Sequence, residues 1–260
     1  MKTLTKRGGI HLLESERHQR ILDLLNKKGS ANLQELVELT HSSESTIRRD
    51  LTQLEQDKYL KRVHGGASRL QGKLQESNMA EKSTKNLQEK QVIGQYAGHV
   101  VEKGDCIYLD AGSTVFEMIA YLPSDIVVVT NGMTHVDQLL GKNIKTFLIG
   151  GYAKPTTKAI IGRGALESLE HYRFDKCFIG ANGIHQQFGY TTPDQEEAMI
   201  KQQAITLARE SYVLADESKF SEIAFAKIAN LKAATIITNE LNRDHAEQLQ
   251  HKTKIKVATR

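Results

Sequence analysis

The chain has 260 residues, 25% charged and 39% hydrophobic, with 3 Pro and no Trp. That length holds one large domain or two smaller ones, and the composition excludes collagen-like, low-complexity and disulfide-scaffold classes. Net charge is +4, and its distribution says more than its size. Residues 1–75 hold 14 Lys and Arg against 9 Asp and Glu, a balance of +5, so the remaining residues are close to neutral. A small basic module meeting a polyanion, followed by a neutral body, fits that asymmetry.

The longest apolar run, Ile126-Val127-Val128-Val129, is strand length, far below the roughly 20 residues of a membrane helix. No membrane partner is expected. The basic N-terminus lacks the apolar stretch of a secretory signal. Cys106 and Cys177 sit inside apolar runs and read as two reduced, buried thiols of a cytoplasmic protein. Neither has a His at ligand spacing, so no metal is expected.

In chain order, the first predicted helix covers about Glu16–Asn26, with Ile21, Leu24 and Leu25 on one face. The second covers Leu33–Leu39, opened by Asn32 and Glu35 at capping-box spacing. After the break Thr40–Ser43, a third helix turns Ile47, Leu51 and Leu54 inward. Its first turns carry Ser43, Ser45, Thr46, Arg48 and Arg49. Hydroxyls and helix-start N–H groups bind phosphate, and Arg also reaches the guanine edge. This is the pattern of a helix-turn-helix. Asp50 on the same helix would repel phosphate unless an Arg pairs with it, which gives it a structural role. Tyr59–Ala67, with Gly65-Gly66 at its centre, reads as a hairpin wing, placing Lys61, Arg62 and His64 along the DNA.

Arg17 through Ile21, the run Ser43-Glu44-Ser45-Thr46-Ile47-Arg48-Arg49-Asp50-Leu51 and the tail His64-Gly65-Gly66-Ala67 resemble the DeoR family of bacterial repressors. Similar proteins begin near Leu13. Lys6-Arg7-Gly8-Gly9 is what a purine-rich ribosome-binding sequence would encode, so translation is expected to start at Leu12 or Leu13 from a non-AUG codon. A genuine terminal arm is the other reading.

The winged helix-turn-helix domain is expected over 14–70, a polar linker over 71–88 and a sensor domain over 89–260. In the last, strand candidates are Cys106–Leu109, Ile126–Thr130, Lys145–Ile149, Lys176–Ile179, Tyr212–Ala215, Thr235–Thr238 and Lys254–Ala258. Helices are expected between them at Thr114–Tyr121, Thr134–Leu140, Gly164–His171 and Glu196–Glu210. Such alternation implies an α/β domain with a mostly parallel sheet, whose ligands bind at the C-terminal strand ends. Polar and glycine residues fall there: Asp110, Gly112, Ser113 and Thr114; Thr130 and Asn131; Gly150 and Gly151; Asn182; Asp216 and Lys219. Gly112-Ser113-Thr114 opening a helix suits an anion, although the same turn also serves plain capping. The set suits a small polyol phosphate.

The motifs Asp110-x-Gly112-Ser113-Thr114, Thr130-Asn131, Leu148-Ile149-Gly150-Gly151, Glu197-Ala198-x-x-Lys201 and Ala215-Asp216-x-Ser218-Lys219 resemble the DeoR-family sensor domain. That domain is similar in fold to ribose-5-phosphate isomerase. The resemblance implies that Ser113 and Thr114 hold phosphate, that Lys219 meets the sugar and that Glu197 and Lys201 belong to the site. It departs at Asn182-Gly183, where the isomerases carry acidic residues. Proton transfer between sugar carbons needs a carboxylate base. Glu196 and Glu197 lie near where one could stand, and equally suit a helix N-terminus. No catalytic residue and no cofactor are therefore expected.

The resemblance implies a repressor of a sugar-utilisation operon, a homodimer or homotetramer on operator DNA, released by a phosphorylated sugar. The N-terminal helix and wing look most like fructose-operon repressors, whose inducer is fructose 1-phosphate. An isomerase or deaminase with a DNA-binding head, and a sugar-phosphate-dependent activator, are the alternatives. His99, His135, His171, His185, His245 and His251 are expected at the surface or an interface, and Phe220 and Phe225 in the core.

Overall fold

The computed structural model describes residues 13–28, 30–57, 59–63, 65–69, 78–249 and 251–259. Residues 1–12, which include Leu12 of the expected alternative start, and the first part of the expected linker, 71–77, lie outside them. The chain divides into two compact units, Met1–Gly72 and Lys73–Arg260.

The first unit opens with α1, Glu14–Lys28, two residues earlier than expected. Glu14 and Glu16 in its first turn and Lys27 and Lys28 in its last complement the helix dipole. Strand β1, Ser30–Asn32, leads straight into α2, Leu33–Thr40. The capping box forms: Asn32 Oδ1 accepts from the Glu35 N–H at 2.9 Å, and Glu35 Oε2 accepts from the Asn32 N–H at 3.0 Å. His41 ends α2 in the left-handed region, and α3 runs Glu44–Gln56. Strands β2, Leu60–Val63, and β3, Gly66–Arg69, form the hairpin. Strand β3 of the hairpin also pairs with β1, which makes it central in the order β1-β3-β2. That third strand has no counterpart in the sequence reading. It explains Gly66, where a Cβ would stand 2.2 Å from the Ala31 carbonyl oxygen.

Ile21, Leu25, Leu36, Ile47, Leu51, Leu54 and Leu60 close this small core. Across it runs a buried ion pair. Arg17 Nε donates to Asp50 Oδ2 at 2.6 Å, and a second guanidinium N–H donates to Oδ1 at 2.9 Å. Asp50 thus has the structural role read from the sequence, and its partner is the arginine that opens the family motif.

The second unit begins with α4, Met79–Thr84, and α5, Leu87–Val100. Residues 78–88, expected as linker, are therefore ordered parts of this unit. Asn78 caps α4 by accepting from the Glu81 N–H at 2.9 Å. The Met79 N–H donates to the Thr156 carbonyl at 2.9 Å. Strands β4 (Cys106–Leu109), β5 (Val127–Thr130) and β6 (Lys145–Leu148) alternate with α6 (Ser113–Met118) and α7 (Met133–Gly141). A short antiparallel pair, β7 (Tyr152–Ala153) and β8 (Ile160–Ile161), precedes α8 (Arg163–Leu169). Then come β9 (Phe174–Gly180), β10 (Gly183–His185), β11 (Gly189–Thr192), α9 (Gln195–Thr206) and β12 (Ala208–Leu214). The chain ends with β13 (Ala226–Ala229), β14 (Thr235–Thr238), α10 (Arg243–Leu249) and β15 (Ile255–Val257).

All seven expected strands form one parallel sheet in the order β15-β14-β12-β9-β4-β5-β6. Residues 208–210, expected at the end of a long helix, belong instead to β12, where Glu210 pairs with Lys176. Strands β10, β11 and β13 make a separate small sheet.

Both faces of the main sheet are apolar, as helices on each side require. Ile107, Leu109, Val128, Phe178 and Leu214 face one core, and Tyr108, Val129, Cys177, Ile179 and Val213 the other. Cys177 is fully buried, which pushes its thiol up to about 12. Cys106 is only half-buried, because it opens an internal strand at the sheet's rim. Phe220 lies in the core, but Phe225 is 59% exposed in the loop before β13.

Removing one partner of a buried ion pair strands the other charge, at a cost of about 3–5 kcal/mol. Asp50→Ala is expected to lower or abolish the unfolding transition of the first unit while that of the second stays in place. Differential scanning calorimetry of the full chain checks this, and an unchanged first transition contradicts it.

Candidate functional site

In the first unit the α3 start carries a knot of hydroxyls. Ser43 Oγ accepts from the Thr46 N–H at 3.2 Å and lies 2.9 Å from Ser45 Oγ and 2.8 Å from Thr46 Oγ1. Ser43, Ser45, Arg48 and Arg49 are exposed on one end of the helix, and Thr46 is half-buried. Arg48 is held by Glu44 one turn earlier, at 2.5 Å. An exposed pair of this kind is worth only about 0.3–0.5 kcal/mol, so a phosphate can take the guanidinium. Glu44 was not singled out in the sequence reading. Strand β2 lies along α3: the Arg62 N–H donates to Glu55 Oε1 at 2.7 Å, and its guanidinium to Thr52 Oγ1 at 2.9 Å. Lys61 is exposed on the same strand. His64 lies outside the described residues. The other seven residues expected at DNA therefore lie on α3 and the wing strand packed beside it.

In the second unit the strand order creates a switch point. From β4 the chain moves outward to β5 and β6, then returns to β9 on the other side of β4 and continues outward to β12. The two neighbouring strands lead their connections apart, which opens a crevice at their C-terminal ends. Asp110 follows β4 and bridges it. Its Oδ2 accepts from the Gly180 N–H, at the end of β9, at 3.0 Å and from the Lys201 ammonium of α9. Asp110 and Lys201 are both buried.

Thr130 and Asn131 brace the loops beside it. Thr130 Oγ1 donates to the Leu109 carbonyl at 2.7 Å and accepts from the Gly132 N–H at 3.0 Å. Asn131 accepts from the Ala111 N–H at 2.9 Å and donates to the Ile160 carbonyl at 3.2 Å. Both are at most 1% exposed, so their polar atoms serve the scaffold. Asn182 accepts from Thr192 Oγ1 at 3.1 Å. Glu197 is buried and accepts from Thr157 Oγ1 at 2.7 Å and Lys154 Nζ at 3.2 Å. Lys154 also donates to Asp194 at 2.7 Å. Burial opposes the charge on Asp194, but Lys154 and backbone N–H groups outweigh it and hold the carboxyl below its usual value. Gly150 and Gly151 sit two strands from Asp110, at the end of β6. Gly151 has φ 139°, and a Cβ there would stand 2.7 Å from the Ile161 carbonyl oxygen, so this glycine sets the chain path.

A second cluster lies around Asp216, after β12. Its Oδ1 accepts from Asn86 Nδ2 at 3.0 Å and the Ser218 N–H at 3.1 Å. Burial works against its charge, yet the Lys219 ammonium, Ser218 and Asn86 hold the carboxyl below its usual value. Lys90 of α5, not foreseen from the sequence, belongs to this cluster. It is 5% exposed. Burial pushes its ammonium down, with Asp216 opposing and Lys219 adding to the push. Lys90 Nζ and Ser113 Oγ both donate to the Lys82 carbonyl, the latter at 3.3 Å. Gly112 caps α6 with no side-chain bond, and Ser113 and Thr114 are buried in its first turn. Lys90, Lys219, Asp216 and the Ser113 hydroxyl thus form a polar, charged cluster in the same unit as the Asp110–Lys201 pair.

His135, expected at the surface or an interface, is fully buried. Burial pushes it down to about 4, with Asp110 opposing. Its ring fills the space over Gly132, where a Cβ would stand 2.5 Å from Nδ1, and meets Phe116 edge-on.

A winged helix-turn-helix and an α/β unit with a polar crevice at its switch point define a ligand-responsive DNA-binding regulator. Residues 17–72 match the DeoR-like helix-turn-helix domain, and residues 85–240 match the DeoR C terminal sensor domain. A protein of Bacillus subtilis named as the uncharacterized HTH-type transcriptional regulator FruR is 50% identical over 95% of this chain and 99% of its own length. The lactose phosphotransferase system repressor of Streptococcus mutans is 34% identical over 93% of this chain and 98% of its own. Ribose 5-phosphate isomerase A from Methanocaldococcus jannaschii is similar over 52% of this chain and 55% of its own, at 19% identity and a TM-score of 0.40. A likeness that loose carries no argument about function. The chain belongs to the DeoR family, and is a transcriptional regulator rather than an enzyme. No helix among the described residues is long and apolar enough to cross a membrane.

With its folded pKa below the unfolded value of about 3.9, Asp216 adds stability that is fully present above about pH 5. That stability is lost as pH falls through the folded value. Asp216→Asn is expected to lower second-unit stability near neutral pH and to flatten its decline in acid. Urea unfolding across about pH 3–7 checks this, and a slope equal to that of the parent protein contradicts it.

Proposed function

We propose that this DeoR-type sugar-operon repressor is released from its operator by fructose 1-phosphate. The observation that carries the reading is the set of polar groups at the strand ends of the second unit: the buried Asp110–Lys201 pair, and the Lys90, Lys219 and Ser113 donors of the neighbouring cluster. Ammonium and hydroxyl groups suit a phosphate, and the carboxylates and amides nearby suit sugar hydroxyls. The choice of fructose 1-phosphate rests on the resemblance to fructose-operon repressors and on the name of the Bacillus subtilis relative. Lactose-system relatives show how readily sibling repressors differ in sugar.

Operator DNA is held by Ser43, Ser45, Thr46, Arg48 and Arg49 of α3 and by Lys61, Arg62 and His64 of the wing. The protein acts in the cytoplasm as a homodimer or homotetramer, with paired heads about one helical turn, roughly 34 Å, apart. A coupling of about 1–3 kcal/mol between crevice and head suffices for induction. An isomerase would need an unengaged carboxylate facing the sugar. Glu197 is taken by Lys154 and Thr157, and Asn182 has no proton to exchange.

Fluorescence anisotropy on promoter DNA at fixed salt is the test. Fructose 1-phosphate is expected to release the protein and free fructose to be inert. Arg48→Ala or Arg49→Ala should weaken DNA binding with the ester response kept. Lys219→Ala should keep DNA binding and abolish the response. A normal response from Lys219→Ala contradicts the site assignment, and release by a sibling ester alone contradicts the choice of sugar.

A further inference from the structure

Helix α4 is an unusual element. It has six residues, none of them buried, and a helix this short has no stability of its own. Polar contacts hold it: the Asn78 cap, the bond from the Met79 N–H to the Thr156 carbonyl, and the Lys82 carbonyl, which accepts from Lys90 Nζ and Ser113 Oγ. Its anchors beyond the cap adjoin the proposed effector site. Thr156 lies in the loop whose Lys154 and Thr157 grip Asp194 and Glu197. Asn86, two residues after α4, donates to Asp216.

Lys90 and Ser113 are an ammonium and a hydroxyl placed to donate to one point, with Lys219 adding charge nearby. A carbonyl oxygen is a neutral acceptor. A phosphate oxygen carries charge, and charge-assisted hydrogen bonds are roughly twice as strong as neutral ones.

We propose that the Lys82 carbonyl and the effector's phosphate compete for the Lys90 and Ser113 donors, so that effector binding releases α4 from the second unit. The inference rests on the sugar-phosphate reading above and adds its route of regulation. Helix α4 is the first described element after residues 71–77, which lead from the helix-turn-helix unit. As a helix its six residues span about 9 Å, and extended they span about 20 Å. Release therefore lengthens and loosens the tether of the DNA-binding head, and a loose tether holds paired heads less well at fixed half-site spacing.

Hydrogen exchange on the full-length protein tests this, with fructose 1-phosphate and inorganic phosphate as probes and calorimetry of the same samples reporting binding. Amides of residues 79–85 are expected to exchange roughly tenfold faster or more when the ester is bound, while those of residues 91–100 stay protected. A second arm uses Met79→Pro, which deletes the N–H that bonds Thr156. Proline suits this first helical position, and Asn78 already has the extended backbone that a following proline prefers. The variant should bind the ester several-fold more tightly, because the competing acceptor is less firmly held. Bound ester with residues 79–85 unchanged or slower, or Met79→Pro binding the ester no more tightly, overturns the proposal and leaves the effector reading standing. If the ester does not bind at all, the effector reading falls and this proposal with it.

Discussion

The second unit is organised around a divergence in its sheet. Between β4 and β9 the chain connections run in opposite directions, and nothing in a parallel sheet closes the gap this leaves at the strand ends. The Asp110 carboxylate spans it, taking the Gly180 N–H from one side and the Lys201 ammonium from the helix beyond. Asn131 ties the backbone after Asp110 to the strand at Ile160. Lys154 and Thr157 fix the loop above α9 through Asp194 and Glu197. A buried pair of this kind contributes little net stability compared with apolar packing. Its value here is position, since it ties the ends of β4 and β9 to α9.

The head repeats the arrangement on a smaller scale. Arg17 and Asp50 form one buried, doubly hydrogen-bonded pair between α1 and α3. The pair fixes the rotation of α3, so that Ile47, Leu51 and Leu54 turn inward while Arg48 and Arg49 stay exposed. The acidic residue that seemed out of place on a DNA-reading helix is what orients it. Both units thus hold a buried carboxylate against a cation at the junction of their main elements.

Features written in local chemistry were legible in the sequence. The Asn32–Glu35 capping box, the three helices and the seven parallel strands follow from periodicity and turn residues. The structural role of Asp50 followed from charge alone, although its partner Arg17, 33 residues away, is visible only in the folded structure. What escaped the reading depends on tertiary packing. Strand β1 is three residues long and exists because β3 pairs with it. Lys90 looks like any surface lysine on an amphipathic helix until α5 is laid against the site. His135 looks like a solvated histidine until Gly132 and Phe116 enclose it. The Lys82 carbonyl has no side-chain signature at all. The polar run 71–88 suggested a linker because a six-residue helix held by hydrogen bonds has no apolar stripe to announce it.

The proposed function requires that effector binding in the second unit and DNA binding by the first be coupled. Coupling between binding sites is reciprocal: the factor by which ester weakens operator binding must equal the factor by which operator weakens ester binding. Calorimetric titration of fructose 1-phosphate into the protein, alone and saturated with operator DNA, measures it most directly. Ester binding is expected to be weaker on operator, by about 5–150-fold. Equal affinity with and without operator would contradict it.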